Sequence, residues 1–156
     1  MAIPLPQPMH RALQLAQAAA NAGEVPVGAV IMRDGAEIAA ASNAMRQLND
    51  PTAHAEILAI RAAAEALGQL RLDDCELWVT LEPCAMCAGA IAHARIARVY
   101  YAAPDPKGGG VDHGARVFAQ PTCHHRPDVY SGLGESQAAD QLRAFFADKR
   151  SPARNA

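Results

Sequence analysis

Aromatic and charged residues are scarce in this chain: Phe, Trp and Tyr make up 4% of its 156 residues and Asp, Glu, Lys and Arg 19%, whereas 51% are hydrophobic. So little charge beside so much apolar content excludes a disordered chain, and the shortage of rings leaves a core of Ala, Leu, Ile and Val. An excess of one charge sign is also missing. Fourteen basic against 16 acidic side chains leave a formal net charge of −2, which excludes a uniformly basic nucleic-acid binder but not a local basic face. The two signs are unevenly spread, with 5 basic and 10 acidic groups in residues 1–93 but 9 and 6 in residues 94–156.

No apolar run approaches the ~18 residues of a membrane helix; the run over residues 85–92 stops at His93. The opening Met1-Ala2-Ile3-Pro4-Leu5-Pro6 lacks a positive segment followed by an apolar one, so export is not expected and a cytoplasmic location without membrane contact is. Four cysteines in such a chain do not argue for disulfides. Cys84 and Cys87 form a Cys-x-x-Cys directly after Pro83, a pattern for metal or redox use. The length suits one domain that buries ~70% of its unfolded surface without staples. No repeat or low-complexity linker divides it, so a single domain over 1–156 is expected, with its core at about 8–150 and short flexible termini.

The coarse pattern is α-β-β-α-β-α-β-(β)-α. Residues 8–22 carry Leu13, Ala16, Ala19 and Ala20 on one face and end at Gly23, a helix with a C-terminal glycine. Asp34-Gly35 between apolar runs 27–32 and 36–40 predicts a two-residue hairpin. A loop is expected over 42–52, a helix from near His54 to before Gly68, a strand at 77–80, a helix from about Cys84 and a strand at 98–101. A Gly/Pro loop at 103–110, a fifth strand at Val129-Tyr130 and a helix at 136–149 complete the reading, with Leu142, Phe145 and Phe146 turned inward or to an interface. Helices alternating with strands imply an α/β fold, a mixed sheet covered by helices.

The chemistry lies in His54-Ala55-Glu56 and Pro83-Cys84-Ala85-Met86-Cys87. Imidazole and thiolates suit zinc, and three protein ligands leave a fourth position open, the mark of a catalytic rather than a structural site. Cys84 and Cys87 at a helix start lie one turn apart, where the helix N-terminus favours thiolates. Glu56, beside the ligands but not one of them, suits a proton shuttle that takes a proton from water and delivers it to a substrate nitrogen. A second Cys-x-x-Cys, which a four-cysteine structural site requires, is missing. Cys75 reads as buried packing, Cys123-His124-His125 as a polar loop or substrate contact, and His10, His93 and His113 as surface or satisfied core histidines. Gly108-Gly109-Gly110 reads as a mobile or substrate-touching loop.

Together, His-x-Glu and Pro-Cys-x-x-Cys in this order are the zinc deaminase pattern. The chain resembles the bacterial tRNA-specific adenosine deaminases of the cytidine-deaminase-like superfamily across most of residues 8–150. The likeness runs through Glu24-Val25-Pro26-Val27-Gly28-Ala29, Asn43, Asn49-Asp50-Pro51-Thr52-Ala53-His54-Ala55-Glu56 and Thr80-Leu81-Glu82-Pro83-Cys84-Ala85-Met86-Cys87-Ala88-Gly89-Ala90. Asp105-Pro106-Lys107 and Phe145-Phe146 with Lys149-Arg150 extend it.

That resemblance implies a three-layer α/β/α fold around a mixed five-stranded sheet, a homodimer, and one Zn2+ per subunit on His54, Cys84 and Cys87. It implies hydrolytic conversion of adenosine to inosine at the wobble position of an anticodon stem-loop, that of tRNA-Arg with an ACG anticodon. Glu56 would protonate ring N1 and then the departing amine. Asn43, Ala55 and Pro83 would meet the splayed base, and Asp105 and Lys107 the stem-loop. The alternative is a free nucleobase or nucleoside deaminase of guanine or cytosine type, sharing the zinc chemistry. Guanine deaminases of this core close the site with an aromatic-bearing tail, whereas residues 149–156 are basic and carry no aromatic. The loop after the fourth strand also departs from the family's Lys-x-Gly-Ala-x-Gly-Ser, reading Lys107-Gly108-Gly109-Gly110-Val111-Asp112-His113-Gly114.

Overall fold

Asp34 and Gly35 both take positive φ, 50° and 79°, the geometry that a two-residue hairpin turn demands. They join β1 (Gly28–Arg33) to β2 (Ala36–Ser42), as the sequence predicts. A computed structural model describes residues 4–149, in which the helix α1 (Gln7–Asn21) precedes this hairpin. The short α2 (Met45–Leu48), α3 (Ala55–Leu67), β3 (Glu76–Leu81), α4 (Ala85–Ala94) and β4 (Arg98–Ala103) follow. A 3-10 turn (Val117–Ala119), β5 (Asp128–Ser131) and α5 (Glu135–Lys149) complete the order. The basic tail, with Arg150 and Arg154, lies outside the described residues.

The five strands form one mixed sheet in the order β2-β1-β3-β4-β5. β1 runs antiparallel to β2 and β3, while β3, β4 and β5 are parallel. Helices cover both faces, so β1 is buried along nearly its whole length instead of alternating. On one face Ile31, Leu77, Val79 and Val99 pack with Ala59 and Ala63 of α3 and with Ala88 and Ile91 of α4. On the other, Val30, Met32 and Trp78 pack with Met9, Ala12 and Leu13 of α1 and with Ala138 of α5. Among the described residues, no helix is long and apolar enough to cross a membrane.

Alanine-rich helix faces let backbones approach closely, and Gly28 is the tightest point. A Cβ there would stand 2.0 Å from the Ala12 carbonyl oxygen and 2.9 Å from the Ala16 nitrogen. Both are helix backbone and cannot turn aside. Gly28→Ala is therefore expected to destabilise by about 3 kcal/mol, read as a lower urea midpoint at unchanged slope.

One expectation needs correction and a second narrows. The predicted loop over 42–52 contains α2, because the Glu24 carboxylate accepts from the Arg46 and Gln47 amides at 3.0 and 2.8 Å. The anion a helix start favours thus arrives from more than 20 residues away, beyond any local pattern. Of the inward and interface positions expected for Phe145 and Phe146, the core is not the one taken: Ala138 is the buried residue of α5, and Phe146 is 43% exposed.

Candidate metal centre and substrate cavity

His54 and Cys84 hold equivalent positions, each the extended residue just before a helix. The starts of α3 and α4 converge beyond the carboxyl end of β3, where ligands sit in open α/β sheets. Cys87 follows one turn into α4 and is fully buried. His54 Nδ1 lies 3.6 Å from Cys84 Sγ and 3.5 Å from Cys87 Sγ, and all three ligand atoms fall within 4.8 Å of one another. Zn–S bonds of about 2.3 Å and a Zn–N bond of about 2.0–2.1 Å at tetrahedral angles put nitrogen and sulfur about 3.5–3.6 Å apart. The donors therefore stand at zinc spacing.

Electrostatics point the same way. The hydrogen bond to Cys87, with His54 alongside, lowers the Cys84 thiol to about 4 although burial opposes it. Cys87 is pushed far upward, first by its bond to Cys84 and then by burial and Glu56. His54 is raised, chiefly by its contact with Cys84. Two thiolates this close repel, and a divalent cation between them is the charge that lets both ionise. Glu56, in the first turn of α3, is 4% exposed, and burial raises its carboxyl to about 7. A carboxyl poised near neutrality both accepts and gives a proton.

A cavity of about 320 Å³ opens over this cluster, lined by His54, Glu56 and Cys84 on one side and by Asn43, Glu82, Asp105 and Gly108 around it. Asn43 is 7% exposed, and its backbone N–H donates to the Val27 carbonyl at 3.0 Å. Ala55 and Pro83 do not line the cavity. Ala55 is wholly buried between His54 and Glu56, and the Pro83 carbonyl accepts the Gly110 amide at 2.8 Å. A second cavity of about 450 Å³ shares Val25, Leu81, Asp105 and Gly108 with the first and adds Lys107, Leu142 and Phe146.

The remaining candidates separate. Cys75 is buried packing, as expected. His10 and His93 are exposed. His125 Nε2 lies 2.7 Å from the Ile96 carbonyl, and Cys123 bonds the His125 carbonyl, so this loop braces the start of β4 and lies away from both cavities. Four of the basic side chains in the positive second segment are engaged locally. Arg95 and Arg126 bond carbonyl oxygens, Arg98 pairs with Glu76 and Arg143 with Asp140. Sequence reasoning assigned no role to Glu82 or His113, whose side chains bond each other at 2.7 Å beside the cavity.

Comparison with known proteins agrees with this geometry. The family model of the cytidine and deoxycytidylate deaminase zinc-binding region matches residues 5–103. A tRNA-specific adenosine deaminase of Agrobacterium fabrum is 61% identical over 142 residues, 91% of this chain and 93% of the relative. A solved structure from work on A-to-I editing by tRNA:A34 deaminases at the wobble position is 60% identical with a TM-score of 0.86, covering 86% of this chain and 98% of that one. A guanine deaminase from Nitrosomonas europaea shares the fold at 25% identity and a TM-score of 0.79, covering 94% of this chain and 87% of that one.

Proposed function

Because the chain belongs to the cytidine and deoxycytidylate deaminase family, with the tRNA-specific adenosine deaminases among its relatives, we propose that it hydrolyses adenosine to inosine at the wobble position of tRNA. The observation that carries the reading is the His54–Cys84–Cys87 cluster with Glu56 beside it on the floor of a base-sized cavity. His54, Cys84 and Cys87 would hold one zinc ion. When bound, zinc acts as a Lewis acid that makes water nucleophilic at neutral pH.

Glu56 takes a proton from the attacking water and delivers it to adenine N1, which draws electrons from C6. A C–O bond forms at C6, and Glu56 then carries the proton of the new C6 hydroxyl to N6; the C6–N6 bond breaks, N6 leaves as ammonia and C6 keeps its oxygen as the carbonyl of inosine. Asn43, at the mouth of α2, hydrogen-bonds the base and holds it over the cluster, and Ala55 and Pro83 shape the backbone around it. Burial of Glu56 and the cavity walls keeps other water away from the reacting atoms.

The second cavity favours RNA over a free base. Phe146 offers an aromatic face and Lys107 a cation next to the base site, the pair of contacts that flanking nucleotides require. Asp105 and Lys107 thus meet the anticodon loop. Its wobble base is already unpaired, so splaying it costs less than extraction from a duplex. The substrate is the stem-loop of tRNA-Arg with its ACG anticodon, and the enzyme works in the cytoplasm as one domain over 1–156. A homodimer fits the outer face of α4, where Ala85, Met86 and His93 are exposed next to an apolar cleft of about 540 Å³.

Zinc-loaded protein is expected to convert the wobble adenosine of an ACG stem-loop to inosine, detected by nucleoside mass analysis. Faster deamination of free guanine or cytosine than of that RNA would overturn the substrate assignment in favour of the nucleobase alternative.

A further inference from the structure

Glu82 is the most heavily bonded side chain near the cavity, yet the mechanism gives it no task. Its side chain has no solvent exposure. One carboxylate oxygen accepts the Asp105 amide at 3.0 Å and lies 2.7 Å from His113 Nδ1. The other accepts the amides of Val111, Asp112 and His113 at 3.2, 3.0 and 3.1 Å. Loop 104–114 is thereby wrapped round a single anion from both ends. The wrapping is tight: a Cβ at Gly109 would stand 2.4 Å from the same carboxylate. Further ties come from the Gly110 amide to the Pro83 carbonyl and from the Tyr101 hydroxyl to Asp112.

We propose that Glu82 is a positioning residue for substrate: its buried carboxylate holds loop 104–114 so that Asp105 and Gly108 form the cavity wall, and it moves no proton in the reaction. The wall residues are known by contact. Asp105 and Gly108 line both cavities, and the Asp105 carboxylate in turn accepts the Lys107 and Gly108 amides at 3.3 and 2.9 Å. Glu82 leaves β3 two residues before Cys84, so one short segment sets both the cluster and the opposite wall. The His113 ring completes the anchor, which gives a role to part of the sequence that departs from the family loop pattern. This inference rests on the proposed deaminase reading for its kinetic consequence but not for its structural one.

Glu82→Gln tests it. The amide keeps the size of the side chain but turns one acceptor into a donor that faces the N–H groups of the loop. Zinc content should stay at one per chain. KM for the stem-loop should rise about tenfold, with a smaller change in kcat, because buried N–H groups lose their partner and the wall loosens. Amide hydrogens of residues 111–113 should exchange faster, while those of β3 stay protected. His113→Ala removes only the ring bond from a partly exposed side chain and should shift KM and exchange in the same direction by less.

A kcat loss at unchanged KM, zinc loss, or unchanged exchange at residues 111–113 would each overturn the proposal. If Glu82→Gln fails to fold, His113→Ala decides: unchanged KM with unchanged exchange refutes it. If the wild-type protein ignores the stem-loop, the substrate reading fails on its own. The same KM comparison on the base it does process, and the exchange data, still judge Glu82.

Discussion

Glu56→Ala should lower kcat on the anticodon stem-loop by about three orders of magnitude and leave zinc at one per chain. The proposed metal donors are His54 Nδ1, 3.6 and 3.5 Å from the sulfurs of Cys84 and Cys87, and those two sulfurs; Glu56 bonds Cys87 but is not one of the three. Removing a carboxyl whose burial raises it to about 7 also relieves a desolvation cost, so thermal stability should hold or increase. Glu56→Gln, which keeps the volume but accepts no proton, should fall as far. Turnover within tenfold of wild type in Glu56→Gln would remove the proton shuttle from the mechanism, and loss of zinc in both variants would make Glu56 a ligand.

The second large effect concerns the metal. Cys87→Ala leaves one nitrogen and one sulfur donor, too few for a closed set of three protein ligands. Zinc measured by atomic absorption should drop from one per chain to near zero, and activity should vanish with it. Because the donors join the starts of α3 and α4, metal binding is coupled to folding. Chelation should therefore lower Tm in wild type and have no further effect in Cys87→Ala. Cys75→Ala, equally buried but packed in the core on the α3–α4 side of the sheet, should retain its zinc. A Cys87→Ala protein with stoichiometric zinc would show that the donor set is wrong.

Sequence periodicity and motif spacing carried the site chemistry a long way. His54, Glu56, Cys84 and Cys87 are legible because each pair lies within one helical turn, so the local conformation already determines that Cys84 and Cys87 share a face. The hairpin is legible for the same reason, Asp34-Gly35 being one of the few pairs that accept positive φ twice. What spacing along the chain could not show were contacts between distant segments. Glu24 reaching the amides of α2, Tyr101 reaching Asp112 and Glu82 gathering five donors from loop 104–114 span separations with no sequence period. In the sequence His113 reads only as a surface or satisfied core histidine, and the three glycines as a mobile or substrate-touching loop. In the structure Gly109 and Gly110 are buried because a carboxylate and the start of α4 leave no room for a Cβ.

Charge shows the same division. The net of −2 and the positive second segment are properties of the chain alone, but the fold engages Arg95, Arg98, Arg126 and Arg143 with local partners and places Lys107 on the wall of the second cavity. By itself, then, the sequence pointed to a catalytic metal site with a proton shuttle, since ligand type and spacing are local chemistry, and its resemblance to the zinc deaminases supplied the reaction class. Only the tertiary structure decided the shape of the site: its cavity walls are built from five separate segments, and a carboxylate becomes an anchor only once folding has buried it among amides that have no water to turn to.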